Sequence, residues 1–65
     1  MEITVNGEKK TVPPLSVLGL LEMLELDPRR VAVELNLEIL PKPDYETTTL
    51  QDDDRIEIVH FVGGG

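Results

Sequence analysis

Apolar and polar residues alternate over residues 1–6. A period of two is typical of a strand that buries one face. The dipeptide Asn6-Gly7 follows, and it predicts a two-residue turn of type I′, because both central residues of that turn need a positive φ. Such a turn sets Val5 opposite Glu8. The pattern therefore predicts a hairpin whose second strand, residues 8–12, is mostly polar and lies at an edge of the sheet.

The spacing of apolar residues then changes to the three and four of a helix. Ser16 is expected to be the N-cap, because its hydroxyl can accept a hydrogen bond from a backbone N–H of the first turn. The helix is predicted to continue to Leu24 or Glu25 and to end before Pro28. Gly19 inside it is unfavourable by about 1 kcal/mol relative to alanine, which a close approach of the sheet would explain. The apolar face consists of Val17, Leu20, Leu21 and Leu24.

Shorter segments follow the helix. Residues 31–35 alternate and predict a third strand, and Ile39-Leu40 predicts a short fourth strand that ends at a proline. Residues 45–50 are interpreted as a loop or a short turn of helix, with Tyr45 packed under it and its hydroxyl at the surface. An acidic turn, residues 52–54, then precedes the last strand, residues 55–62.

The first and last strands are the most apolar, which places them at the centre of the sheet as parallel neighbours. One helix then covers one face of this sheet, because each element has a single apolar face to bury. The sequence thus predicts an α+β fold of the ubiquitin-like β-grasp type, with a small mixed sheet and one main helix packed on one face. We expect the domain to span residues 1–62 and residues 63–65 to form a flexible glycine tail.

The sequence ends with Gly63, Gly64 and Gly65, directly after the last strand. Glycine has no side chain to bury and loses the most backbone freedom on ordering, so this tail does not serve stability. A bare segment can enter a narrow site on another protein, which makes the carboxylate of Gly65 a candidate reacting group. A frayed terminus is the alternative.

Two exposed apolar residues are predicted beside the tail. If Ile56 and Ile58 face the helix, Val59 and Phe61 face outward and form a docking patch for partners. In the alternative, the alternation slips and Phe61 covers the edge of the core. His60 is expected at the strand edge with its ring partly in water, rather than as a catalytic base.

Composition excludes several classes of function. The chain has 65 residues and a net charge of −7, which disfavours nucleic acid and anionic membranes and favours a basic protein partner. It contains no cysteine and one histidine, so we expect no metal site. No segment has the length and apolarity of a membrane span or the pattern of a signal peptide, so we expect a cytoplasmic protein that is a monomer when free. With no nucleophile–base pair or phosphate loop, it is not expected to be an enzyme.

Four stretches carry a resemblance to a known family: residues 1–7, 31–36, 38–41, and 54–59 leading into the glycines. The chain resembles the ubiquitin-like sulfur carrier proteins, most closely the carriers of thiamine biosynthesis. Two positions depart from the family pattern, since Leu37 and Asp53 stand where glycine is common.

The resemblance implies a carrier that acts through Gly65. Its carboxylate would be adenylated with ATP by an E1-like adenylating enzyme, converted to a thiocarboxylate by a persulfide sulfur donor, and used by thiazole synthase. The chain itself would bind no cofactor. Three alternatives stay open: the small subunit of molybdopterin synthase, a protein modifier joined through Gly65 to lysines, and a passive interaction module.

Overall fold

The computed structural model describes residues 1–61. Val62 and the glycines lie outside the described residues, and so do the predicted flexible tail and the domain boundary at residue 62. The strands and the α-helix are β1 (Glu2–Val5), β2 (Glu8–Thr11), α1 (Val17–Met23), β3 (Val31–Leu35), β4 (Glu38–Leu40) and β5 (Arg55–His60). Two short 3₁₀ helices, Pro28–Arg30 and Lys42–Asp44, were not predicted from the sequence.

The five strands form one sheet in the order β2-β1-β5-β3-β4. β1 and β5 are parallel and central, whereas β1–β2, β3–β4 and β3–β5 are antiparallel. The predicted α+β fold with parallel first and last strands at its centre is confirmed. β2 lies at an edge, as its charged residues indicated.

The first hairpin has the predicted register. Val5 pairs with Glu8, and the turn residues Asn6 and Gly7 have φ of 49° and 84°. The second hairpin turns in the same way through Asn36 and Leu37, with φ of 52° and 72°. A leucine is strained in this left-handed region, because its Cβ approaches the backbone carbonyl oxygen.

The two residues that depart from the family pattern both have a positive φ. Leu37 has a φ of 72° and Asp53 a φ of 69°. Glycine at these two positions would adopt the same backbone without steric conflict. The chain therefore keeps the turn geometry that glycine favours, but Leu37 and Asp53 adopt it with backbone strain.

The α-helix begins where the sequence predicts and ends at Met23, with Leu24 as its C-cap. The hydroxyl of Ser16 accepts a hydrogen bond of 3.0 Å from the N–H of Gly19. The predicted reason for Gly19 is wrong, because the sheet is not its close neighbour. A Cβ at this position would lie 3.2 Å from the Cβ of Leu15, just before the N-cap.

The core lies between α1 and one face of the sheet. Its fully buried large side chains are Ile3, Val17, Leu20, Leu21, Val31, Val33 and Ile56. Tyr45 is also buried, and its hydroxyl donates to the carbonyl of Val31 at 3.4 Å, so the prediction of a surface hydroxyl is wrong. Burial raises the pKa of this hydroxyl.

Candidate partner-binding site

The face of the sheet opposite α1 carries an exposed apolar patch, consisting of Ile39, Val59 and Phe61. Val59 lies opposite Ala32 on β3, and Ile39 lies opposite Glu34. The exposed fractions are 78% for Ile39, 59% for Val59 and 58% for Phe61. The predicted outward orientation of Val59 and Phe61 is confirmed, and Phe61 does not cover the edge of the core.

Phe61 is exposed, but a backbone hydrogen bond and a cation–π contact restrain it. Its N–H donates to the carbonyl of Arg30 at 2.9 Å, which continues the β3–β5 pairing beyond His60. The ammonium of Lys42 lies 5.2 Å from the centroid of its ring and donates to the carbonyl of Val31 at 2.8 Å. The contact of Lys42 with Phe61 was not predicted, because no local sequence pattern links Lys42 to residues so distant in the chain.

Two carboxylates border the patch. Glu34 and Glu57 lie directly opposite each other on β3 and β5, and both are half-buried. Like charges in this position repel each other. Within residues 1–61, the ion pairs are those of Asp27 with Arg29 and Arg30, so neither glutamate is paired with a cation there. The patch is therefore flanked by the ammonium of Lys42 at Phe61 and by the carboxylate of Glu34, which lies between Glu57 and Ile39 across the sheet.

Other acidic and titratable residues lie elsewhere. Glu38 pairs with Leu35, whose side chain packs against the core, so it lies on the helix side of the sheet and not at the patch. The acidic turn, residues 52–54, is exposed or half-exposed. His60 is exposed, as predicted, and lines a groove of about 340 Å³ on the helix side, together with Leu24 and Leu26.

The described part of the chain offers no metal-binding arrangement and no membrane-spanning helix. No group of three His, Asp or Glu side chains among residues 1–61 could hold a metal ion. No helix in the same range is long and apolar enough to cross a membrane. The predicted reacting group, the carboxylate of Gly65, lies outside the described residues.

The parallel central strands, the single helix and the exposed patch at the end of β5 define a ubiquitin-like β-grasp protein. The crystal structure of a thiamine biosynthesis protein (ThiS) from Geobacter metallireducens has the same fold. It matches with a TM-score of 0.85 and 40% identity, and the match covers 100% of both chains. The ThiS family model matches residues 3–65. The chain belongs to the ThiS family.

Two kinds of curated relatives are similar to the chain. The "Sulfur carrier protein ThiS" of Bacillus subtilis is 48% identical over 50 residues, which covers 77% of this chain and 76% of the relative. The "Thiazole synthase" of Paramagnetospirillum magneticum is 46% identical over 66 aligned positions, covering 100% of this chain and 20% of the relative. A second thiazole synthase, from Magnetococcus marinus, is 44% identical. The chain spans about one fifth of the length of these two thiazole synthases.

Proposed function

We propose that this chain is a sulfur carrier of thiamine biosynthesis that carries sulfur as a thiocarboxylate on Gly65. The observation that carries the proposal is the family match over residues 3–65, which includes the three glycines. The structure adds that β5, the strand leading to these glycines, is central in the sheet and paired with both β1 and β3. The glycine segment therefore follows a strand whose first residues are paired on both sides.

Three chemical steps produce the thiocarboxylate. A carboxylate oxygen of Gly65 attacks the α-phosphorus of ATP, which releases pyrophosphate and leaves an acyl adenylate. The terminal sulfur of a partner's cysteine persulfide then attacks the carbonyl carbon and displaces AMP, which gives an acyl disulfide. A thiol finally cleaves the S–S bond, forms a disulfide with the partner's sulfur and releases the thiocarboxylate. The nucleophilic sulfur belongs to the partner, and this chain contains no cysteine.

The glycines give these reagents access. ATP and the persulfide must approach one carbonyl to reacting distance, and a side chain on Gly64 or Gly65 would obstruct that approach. Glycine also lets the segment bend to fit more than one partner. The carrier itself needs no bound cofactor, because ATP belongs to the adenylating enzyme.

Val59 and Phe61 are proposed to dock on an E1-like adenylating enzyme and on thiazole synthase. The apolar patch supplies contact area next to the reacting segment. The facing carboxylates of Glu34 and Glu57 favour a partner with basic residues around an apolar surface, as does the net charge of −7. Two relatives named thiazole synthase contain a stretch similar to this whole chain. This similarity supports thiazole synthase as a partner.

The intact mass of the chain tests the proposal. The chain, ending at Gly65, is co-expressed with a bacterial E1-like sulfur-activating enzyme, and a chain without Gly65 is the matched control. A mass gain equal to replacing one oxygen by sulfur, absent from the control, is expected. An unchanged mass, under conditions that convert a known carrier, would contradict it. Conjugates with lysines in cell extracts would instead favour a protein modifier.

A further inference from the structure

The last strand extends beyond the first strand, its parallel neighbour. β1 ends at Val5, whose partner is Ile56, whereas β5 continues to His60. On the other edge, β3 accompanies β5 as far as the pair Val31–His60. From Glu57 onward, the edge of β5 on the β1 side has no neighbouring strand.

Asn6 takes the place of the missing strand. Its backbone N–H donates to the carbonyl of Ile56 at 2.9 Å. Its side-chain Oδ1 then accepts from the N–H of Ile58 at 2.7 Å, and its Nδ2 donates to the carbonyl of Ile58 at 3.3 Å. A carboxamide has the same donor and acceptor groups as a peptide bond. The side chain of Asn6 therefore continues the β-ladder after the backbone has turned away.

Asn36 has the equivalent position in the second hairpin and holds the other end of β5. Its backbone N–H donates to the carbonyl of Arg55 at 2.8 Å, and its Oδ1 accepts from the N–H of Arg55 at 2.9 Å. Its Nδ2 donates to a carboxylate oxygen of Asp54 at 3.0 Å. Each asparagine thus makes two side-chain hydrogen bonds, but only Asn6 acts at the end that leads to Phe61.

We propose that Asn6 is a positioning residue that fixes the direction in which β5 leaves the sheet. This inference rests on the function proposed above. Without its carboxamide, the end of β5 is hydrogen-bonded along one edge only, and a change of twist there moves everything that follows. Because adenylation requires the carboxylate of Gly65 to lie at reacting distance from the α-phosphorus of ATP, a displaced strand end lowers the reaction rate. The patch is also held by β3 and Lys42, so docking is affected less.

The variant Asn6→Gly isolates this role. Glycine adopts the positive φ of the turn, so the hairpin is kept while both side-chain hydrogen bonds to Ile58 are lost. Asn36→Gly is the matched control, because it makes the same change at the same turn position and also removes two side-chain hydrogen bonds. A purely structural role predicts the same behaviour for both variants.

The experiment measures pyrophosphate release by an E1-like enzyme as a function of carrier concentration, with thermal unfolding of each variant. We expect Asn6→Gly to lower kcat about tenfold with KM changed less than about twofold, and Asn36→Gly to change kcat less than about twofold. The midpoints of unfolding should fall similarly. Hydrogen exchange at the Ile58 amide should accelerate in Asn6→Gly only.

Two results would overturn the inference. If the wild-type chain is adenylated and both variants react at the same rate, Asn6 has no special role in positioning. If Asn6→Gly reacts like wild type although its Ile58 amide exchanges faster, the end of β5 does not direct the tail. Absence of adenylation in the wild-type chain would instead reject the proposed function, and the inference with it.

Discussion

The ammonium of Lys42 lies 5.2 Å from the centroid of the Phe61 ring. The same ammonium donates to the carbonyls of Val31 and Pro28, at 2.8 Å and 3.3 Å. A cation–π contact at an exposed site contributes about 0.5–1 kcal/mol. The contact therefore favours the observed orientation of the Phe61 ring although 58% of the residue is exposed, and such a preference would reduce the entropy lost on docking.

A first prediction concerns the exposed patch: the variant Val59→Asp tests whether this patch docks on partners. A carboxylate at this position is buried when a partner binds, and we expect the Kd for an E1-like enzyme to rise at least about tenfold. The midpoint of thermal unfolding should stay close to that of wild type, because 59% of Val59 is already exposed. Isothermal titration calorimetry and circular dichroism measure the two quantities.

The control for this variant is Met23→Glu. Met23 is 45% exposed at the end of α1, on the other side of the molecule from the patch. This substitution adds the same charge to an exposed apolar position and should leave Kd within about twofold. Equal weakening by both variants would assign the effect to net charge. Unfolding of Val59→Asp would mean that Val59 serves the fold.

A second prediction concerns the reacting end. Gly65→Ala should slow adenylation by about a hundredfold, because its methyl group displaces the carboxylate from the position in which it can attack the α-phosphorus of ATP. Pyrophosphate release measures the rate, and circular dichroism should show an unchanged midpoint of unfolding. Adenylation at the wild-type rate would show that ATP does not need glycine at this position in order to reach the carboxylate.

A third prediction follows from the strained turn at Leu37. Its φ of 72° is unfavourable for leucine, and its side chain is 74% exposed. Leu37→Gly should raise the free energy of unfolding by about 1 kcal/mol, after the greater freedom of glycine in the unfolded chain is included. For a domain of this size, the midpoint should rise by about 4–8 °C.

Leu37→Ala separates strain from exposure. It removes the same apolar side chain but keeps a Cβ, so its free energy of unfolding should stay within about 0.5 kcal/mol of wild type. Thermal unfolding by calorimetry compares the three chains. A stabilisation by alanine equal to that by glycine would show that φ is not the cause.

A fourth prediction concerns Asp27. Hydrogen bonds from the side chain and the backbone N–H of Arg29 lower the pKa of its carboxyl from 3.8 to about 2. Because the pKa is lower in the folded state, Asp27 contributes to stability above pH 3.8 and loses this contribution as pH falls toward 2. Carbon-detected NMR titration of the carboxyl group measures the midpoint.

Arg29→Gln should move this midpoint back toward 3.8. Arg30→Gln is the control, because it removes the same charge from the neighbouring position, where the guanidinium lies 3.7 Å away instead of 3.0 Å. It should shift the pKa less. A larger shift from Arg30→Gln would contradict the assigned cause.

The number and order of the strands followed from the sequence, because the alternation of apolar and polar residues shows which face of a strand is buried. The last strand, predicted over residues 55–62, ends at His60 in the structure. Ile3 and Val5 alternate with polar residues because one side of β1 is buried, and Asn6-Gly7 fixes the turn and with it the register. The apolar character of the first and last strands likewise predicted their central, parallel pairing. The exposure of Val59 and Phe61 followed from the same alternation in β5.

Short segments without a period, and contacts between residues distant in sequence, were not predictable in this way. The 3₁₀ helix at Pro28–Arg30 depends on the cap that Asp27 provides to Arg29, at 2.9 Å, within a segment too short to show a period. The positions of Lys42 and of the Tyr45 hydroxyl depend on where β3 lies. The asparagine in both hairpin turns was a visible signal, but it indicated turn geometry and not the hydrogen bonds to β5.

The central place of β5 has a consequence for how the protein is made. During synthesis, β1, β2, α1, β3 and β4 all leave the ribosome before the strand that joins the two hairpins into one sheet. Such a sheet depends on contacts between residues far apart in sequence, and these form late. A chain interrupted before Ile56 cannot close its core. The proposed docking surface is thus completed by the same strand that leads to the glycines, so it forms only after that strand has been synthesised.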